Sequence, residues 1–254
     1  MPARGEVPDG APIWFDLATT DLDRSVAYYT ELFGWEHQSF GPEFGNYGSF
    51  LKDGQTIAGV GPVMENQPPA WGVYLRTSDA DATAEKVKAA GGTVVFGPDN
   101  IPGQGRFFSA VDPAGAAVSF WQPDGHDGFA LWGEHGAPVW FETWSSDYDK
   151  AVAFYKEAAG WPVSTMSDTP EFRYTTYGEG RDSVAGIYDA TKELAANGGT
   201  SGWAVYLGAD DVDALVAKAR DLGGQAPGEP RDTPYGRMIG VADPNGTWFQ
   251  LSSI

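Results

Sequence analysis

Cysteine is absent from all 254 residues, which excludes disulfides, thiolate metal sites and a cysteine nucleophile. Basic residues are scarce: 16 Lys and Arg stand against 35 Asp and Glu, for a formal net charge of −19. Such a field repels phosphate backbones and anionic lipid, so nucleic acid and membrane surfaces are not expected partners; the plain reading of the acidity is solubility. No apolar run is long enough to cross a bilayer, and the opening MPARGEVPDGAP lacks the apolar core of a signal peptide. A cytoplasmic location is the expectation. Histidine is rare too, occurring only at His37, His126 and His135. The hydrophobic fraction of 42%, with many Gly and Pro, indicates a turn-rich globular chain that can bury a core.

The chain repeats itself. WFDLATTDLDRSVAYYTELFGW, from Trp14, is echoed by WFETWSSDYDKAVAFYKEAAGW, from Trp140. Ala58-Gly59-Val60 answers Ala185-Gly186-Ile187, the WGVYL at Trp71 answers the WAVYL at Trp203, and the DPAG at Asp112 answers the DPNG at Asp243. Gly105-Arg106 likewise answers Gly236-Arg237. Two homologous domains, 11–122 and 137–254, follow, joined by a Gly-rich polar linker over 123–136.

Each half is itself double. A strand at Ile13–Thr19 leads to an Asp-flanked helix with Val26, Tyr29 and Phe33 at helical spacing, capped by Gly34. After short strands the order recurs: a strand at Trp71–Thr77, a helix from Asp79 to Ala90, then strands at Thr93–Phe96, Arg106–Val111 and Ala116–Trp121. The predicted fold class is α+β: two tandem domains, each of two βαβββ units, with curved mixed sheets around a concave cavity and helices outside.

The Asp-Leu-Asp-Arg-Ser opening, the Gly-Trp after the first helix and the Arg–strand–Asp-Pro-x-Gly–strand ending resemble the vicinal oxygen chelate superfamily. That superfamily includes glyoxalases, extradiol dioxygenases and bleomycin-resistance proteins. The FWQPDGH passage ending the first half is similar to tandem-domain bacterial members labelled glyoxalase-like or hydroxylase. The resemblance implies metal ligands at set positions, and this chain departs from them. Trp14 and Trp140 stand where His or Gln opens a unit, Gly72 and Ala204 where the second His falls, and Ser119 and Gln250 where the closing Glu falls. Neither a metal nor any other cofactor is therefore expected. The three histidines lie off the converging strands, and those of the linker read as solvated loop residues rather than a site with Asp127 and Glu134.

Strand alternation supplies the lining instead. With Phe15 and Leu17 under the helices, Trp14, Asp16 and Ala18 face the concavity, as do Trp140, Glu142 and Trp144 in the other half. Tyr74 and Arg76, Tyr206, Ser119 and Trp121, and Trp248, Gln250 and Ser252 join them. Aromatic walls of this kind suit a planar aromatic or polyketide-like ligand. Tryptophan at these positions equally suits plugging the cavity or packing across an interface.

Two function classes stay open. One is a metal-free small-molecule binder for sequestration, carriage or resistance. The other is a metal-independent isomerase, cyclase or lyase with Asp16 or Glu142 as acid/base, since burial among indoles raises a carboxyl pKa. A metal-dependent glyoxalase or dioxygenase and an interaction protein with vestigial cavities rank below these. The chain is expected to act as a monomer or homodimer. Arg106 and Arg237 read as ion-pair residues, and Gly34-Trp35 and Gly160-Trp161 as helix caps with an anchoring aromatic.

Overall fold

A computed structural model describes residues 6–254 except Asn66, Arg181 and Asp182. The first half runs β1 (Pro12–Thr19), α1 (Leu22–Phe33), β2 (Glu36–Ser39), β3 (Gly48–Lys52) and β4 (Gln55–Pro62). It then repeats the order as β5 (Ala70–Arg76), α2 (Ala80–Ala89), β6 (Thr93–Ile101), β7 (Gly105–Val111) and β8 (Ala117–Pro123). The second half runs β9 (Pro138–Ser145), α3 (Tyr148–Ala158), β10 (Val163–Asp168), β11 (Arg173–Tyr177) and β12 (Ala185–Asp189). After an inserted helix α4 (Thr191–Asn197) come β13 (Gly202–Ala209), α5 (Val212–Asp221), β14 (Arg231–Thr233), β15 (Gly236–Ala242) and β16 (Trp248–Ser253). The four βαβββ units of the α+β expectation are present. Helix α4 is an addition that the repeat did not predict.

Each half forms one mixed eight-stranded sheet, ordered β2-β3-β4-β1-β5-β8-β7-β6 and β10-β11-β12-β9-β13-β16-β15-β14. The opening strands of paired units meet antiparallel at the centre, β1 on β5 and β9 on β13, with parallel neighbours outside them. The second sheet is bent round its inward face, because Tyr235 in the β14–β15 turn reaches Met166 on β10, the opposite edge, at 3.0 Å. Every unit helix starts the same way. Asp21, Asp79, Asp147 and Asp211 each accept a hydrogen bond from the backbone N–H three residues on, satisfying an otherwise unpaired donor. Gly34 closes α1 at φ 71°, a conformation that costs glycine little.

The outward faces of the two sheets share a core. Phe15 lies 5.5 Å from Phe141 and Tyr29 lies 5.7 Å from Phe249, ring centre to ring centre, while α2 packs on α3 and α1 on α5. The connecting stretch 123–136 is no bare tether, since Phe129 and Leu131 are buried and Phe129 stands 5.7 Å from both Phe15 and Phe141.

The repeated motifs prove to be crossed ties, from each half to the segment leading into the other and between the halves themselves. The Trp35 indole donates to the Gly136 carbonyl at 2.8 Å, and Trp161 returns the bond to the Gly10 carbonyl at 2.9 Å. Tyr155 on α3 donates to Asp112 at 3.2 Å and accepts from Trp203, while Tyr29 on α1 donates to Asp243 at 3.4 Å and accepts from Trp71. The other oxygen of each aspartate closes its own Asp-Pro-x-Gly turn through two backbone N–H groups. These aspartates therefore tie one domain's closing hairpin to the other domain's first helix. Arg106 pairs with Asp81, and Arg237 with Asp213 and Asp232, in exposed ion pairs of small energetic weight.

Candidate functional site

On the first sheet the register sets Trp14 opposite Tyr74 and Asp16 opposite Gly72, with Tyr74 beside Ser119 and Arg76 beside Trp121. Trp14, Asp16, Tyr74, Ser119 and Trp121 so come together on one face, around a residue that sequence reasoning missed. Tyr47, just before β3, lies across Gly59 and donates to Asp16 Oδ2 at 3.1 Å. Tyr74 donates to the same oxygen at 2.9 Å, and the Trp14 indole donates to the Tyr47 hydroxyl at 3.2 Å. Burial raises the Asp16 carboxyl from 3.8 to about 6, against the pull of the two tyrosine bonds.

The second sheet rebuilds this arrangement. Trp140 donates to the Tyr174 hydroxyl at 2.8 Å, and Tyr174 donates to Glu142 Oε2 at 2.5 Å. Glu142 Oε1 accepts from Tyr206 at 2.8 Å and from Trp144 at 2.7 Å. Burial raises this carboxyl too, opposed by the donors from Tyr174, Tyr206 and Trp144. Tyr188 stands edge-on to Trp144 at 5.5 Å, and Phe172 stacks on Tyr174 at 5.5 Å.

The glycines of the repeated Ala-Gly-Val and Ala-Gly-Ile explain the tyrosines. A Cβ on Gly59 would stand 1.9 Å from the Tyr47 hydroxyl, and one on Gly186 would stand 2.1 Å from that of Tyr174. Only a residue without a side chain leaves room for the ring. That repeat was the available signal for Tyr47 and Tyr174, because a glycine inside a strand marks a close approach.

The remaining candidates are placed as follows. Arg76 is engaged by Asp9 at the edge of the face. Ser119 shares a 2.8 Å hydrogen bond with Ser109, and Phe107, unforeseen, packs between Tyr74, Phe96 and Trp121. Trp248 is 53% exposed at the rim of the second face, with Gln250 half-buried beside it. His126 is not a solvated loop histidine. Its ring meets Trp14 edge-on at 4.4 Å, Trp121 donates to its carbonyl at 2.8 Å, and burial lowers its pKa. It is pinned because the linker turns back over the end of β8.

A divalent ion does not fit the residues at the positions that the family resemblance assigns to ligands. The indole N–H groups of Trp14 and Trp140 donate and offer no lone pair, and Gly72 and Ala204 have no ligating side-chain atom. Of the nearby carboxyls, both oxygens of Glu142 and Oδ2 of Asp16 already accept phenol or indole protons. Among the described residues no group of three or more His, Asp or Glu could hold an ion. No described helix is long and apolar enough to cross a membrane.

The Glyoxalase/Bleomycin resistance protein/Dioxygenase superfamily matches residues 12–120 and 138–251. Among relatives, CFP32 of Mycobacterium tuberculosis, whose name proposes a glyoxylase, is 35% identical over 99% of this chain and 97% of its own. The anthracycline biosynthesis protein DauV of Streptomyces sp. is 35% identical over 95% of this chain and 92% of its own. Among solved structures, the Mn(II)-bound glyoxalase of Novosphingobium aromaticivorans shares the fold with a TM-score of 0.65 at 19% identity, covering 99% of this chain and 83% of that one.

Proposed function

The chain belongs to the Glyoxalase/Bleomycin resistance protein/Dioxygenase superfamily, and we propose that within it this protein is a metal-independent binder of planar aromatic small molecules. One observation carries the reading. In both sheets a carboxyl caged by two tyrosine hydroxyls, with a tryptophan donating into the cage, occupies the inward face where a metal centre would otherwise be built. Trp14, Tyr174 and Tyr206 are buried in these cages, and the half-buried rings of Tyr74, Phe107, Trp140 and Trp144 around them offer faces for stacking beside polar atoms that set orientation, the combination small-molecule sites use. A relative named for anthracycline biosynthesis, hence for fused-ring aromatic compounds, supports that ligand class.

The test is a titration with 1,8-dihydroxyanthraquinone followed by tryptophan fluorescence, on the wild type and on Phe107→Ala, Trp140→Ala and Trp144→Ala. Losing a stacked ring with its buried area should weaken binding about tenfold at the inward face of the affected sheet, termed its trough. No binding by the wild type, or unchanged affinity in all three variants, refutes the proposal.

A further inference from the structure

The two troughs are copies, yet their carboxyls are left in different states. Glu142 is 7% exposed and both its oxygens are taken, Oε1 by Tyr206 and Trp144 and Oε2 by Tyr174. Asp16 is half-buried, and Tyr47 and Tyr74 both donate to Oδ2. Among the described residues no hydrogen bond reaches Oδ1.

Three differences between the repeats act in the same direction. Ala18 stands where Trp144 supplies its indole donor, so one bond is missing. Aspartate is one methylene shorter than glutamate, so the carboxyl stays close to its strand. Gly72 faces Asp16 across the sheet where Ala204 faces Glu142, and a Cβ on Gly72 would lie 2.9 Å from Oδ1. The glycine leaves open the space in front of the one unpaired oxygen.

We propose that the first trough is a proton-transfer site, in which Asp16 Oδ1 removes a proton from a carbon activated by the carbonyl of a planar, enolisable aromatic ketone, while the second trough only holds its ligand. The proposal rests on the binding reading above. In the step the C–H bond breaks and an O–H bond forms at Oδ1. The C–H electron pair passes into the ring system, and the carbonyl oxygen becomes an enolate, which is the phenolate of the aromatised tautomer. Return of the proton to the same carbon restores the ketone, and delivery to another carbon gives an isomer, so no oxidant or second substrate is required. Tyr47 and Tyr74 hold Oδ2 and thereby aim Oδ1. A carboxyl whose pKa burial brings to about 6 is well matched to such work near neutral pH.

Anthrone, a flat tricyclic ketone with an acidic ring methylene, serves as the probe. Binding is followed by fluorescence, and loss of the methylene proton signal in D2O by NMR, for the wild type, Asp16→Asn and Gly72→Ala. The wild type should exchange the methylene faster than buffer, Asp16→Asn should lose about a hundredfold or more of that acceleration while still binding, and Gly72→Ala, which shields Oδ1 but keeps the carboxyl, should lose it too. Binding without accelerated exchange in the wild type overturns this inference and leaves the binding reading standing. Undiminished exchange in either variant overturns it as well. Absence of anthrone binding overturns both.

Discussion

Replacing Asp16 by Asn should make the protein more stable near neutral pH, and by an amount that depends on pH. Burial lifts the Asp16 carboxyl from 3.8 to about 6, so the fold favours its protonated form. Below pH 3.8 the group is protonated in both folded and unfolded chains and contributes nothing. As pH rises from there, the unfolded chain gives up the proton first, and stability falls until the folded group ionises as well, near pH 6. At about 1.4 kcal/mol for each pH unit, the full loss is about 3 kcal/mol, an upper bound because Asp16 is only half-buried. Asn cannot ionise, and its amide can still meet the Tyr47 and Tyr74 hydroxyls. The gain from Asp16→Asn should therefore be larger at pH 8 than at pH 4 by up to about 2 kcal/mol. Urea unfolding of both proteins across that range measures it. The wider net charge of −19 also erodes stability as pH rises, but nearly equally in both proteins, so the difference isolates one group. Parallel profiles would refute the claim that the fold raises the Asp16 carboxyl from 3.8 towards 6.

Tyr155→Phe keeps the ring but removes the donor to Asp112 and the acceptor of the Trp203 indole; a stability loss of about 1–2 kcal/mol in urea unfolding is expected. Gly59→Ala places a Cβ where the Tyr47 hydroxyl lies and should cost about 1–3 kcal/mol while weakening 1,8-dihydroxyanthraquinone binding at the first trough. Unchanged stability and affinity would show that Tyr47 does not need that space. Dialysis against EDTA should leave ligand affinity untouched, and elemental analysis of protein from its native host should find no stoichiometric divalent metal. A full equivalent of metal would mean that the aromatic cages are not what occupies the centre of the fold.

The repeat and the two periodicities made the fold legible in the linear chain, because alternation and helical spacing are local properties. Four Asp N-caps, the Gly34 cap and the inward set of Trp14, Asp16, Trp140, Glu142 and Trp144 follow from neighbours a few residues away. What lies across the sheet could not be read that way. Tyr47 and Tyr174 reach the carboxyls only because β3 and β11 lie next but one to β1 and β9, with Gly59 and Gly186 on the strands between. The crossed ties of Tyr29 to Asp243 and Tyr155 to Asp112 span 214 and 43 residues of chain, and nothing local distinguishes those aspartates from ordinary turn residues. His126 was misjudged for the same reason, since a polar loop residue reveals its surroundings only when the loop folds back. The residue types thus specified the faces and the chemistry available on them. Which groups are paired, and which oxygen is left open at Asp16 but closed at Glu142, depends on atoms brought within hydrogen-bonding range by the sheet, and only the tertiary structure decides that.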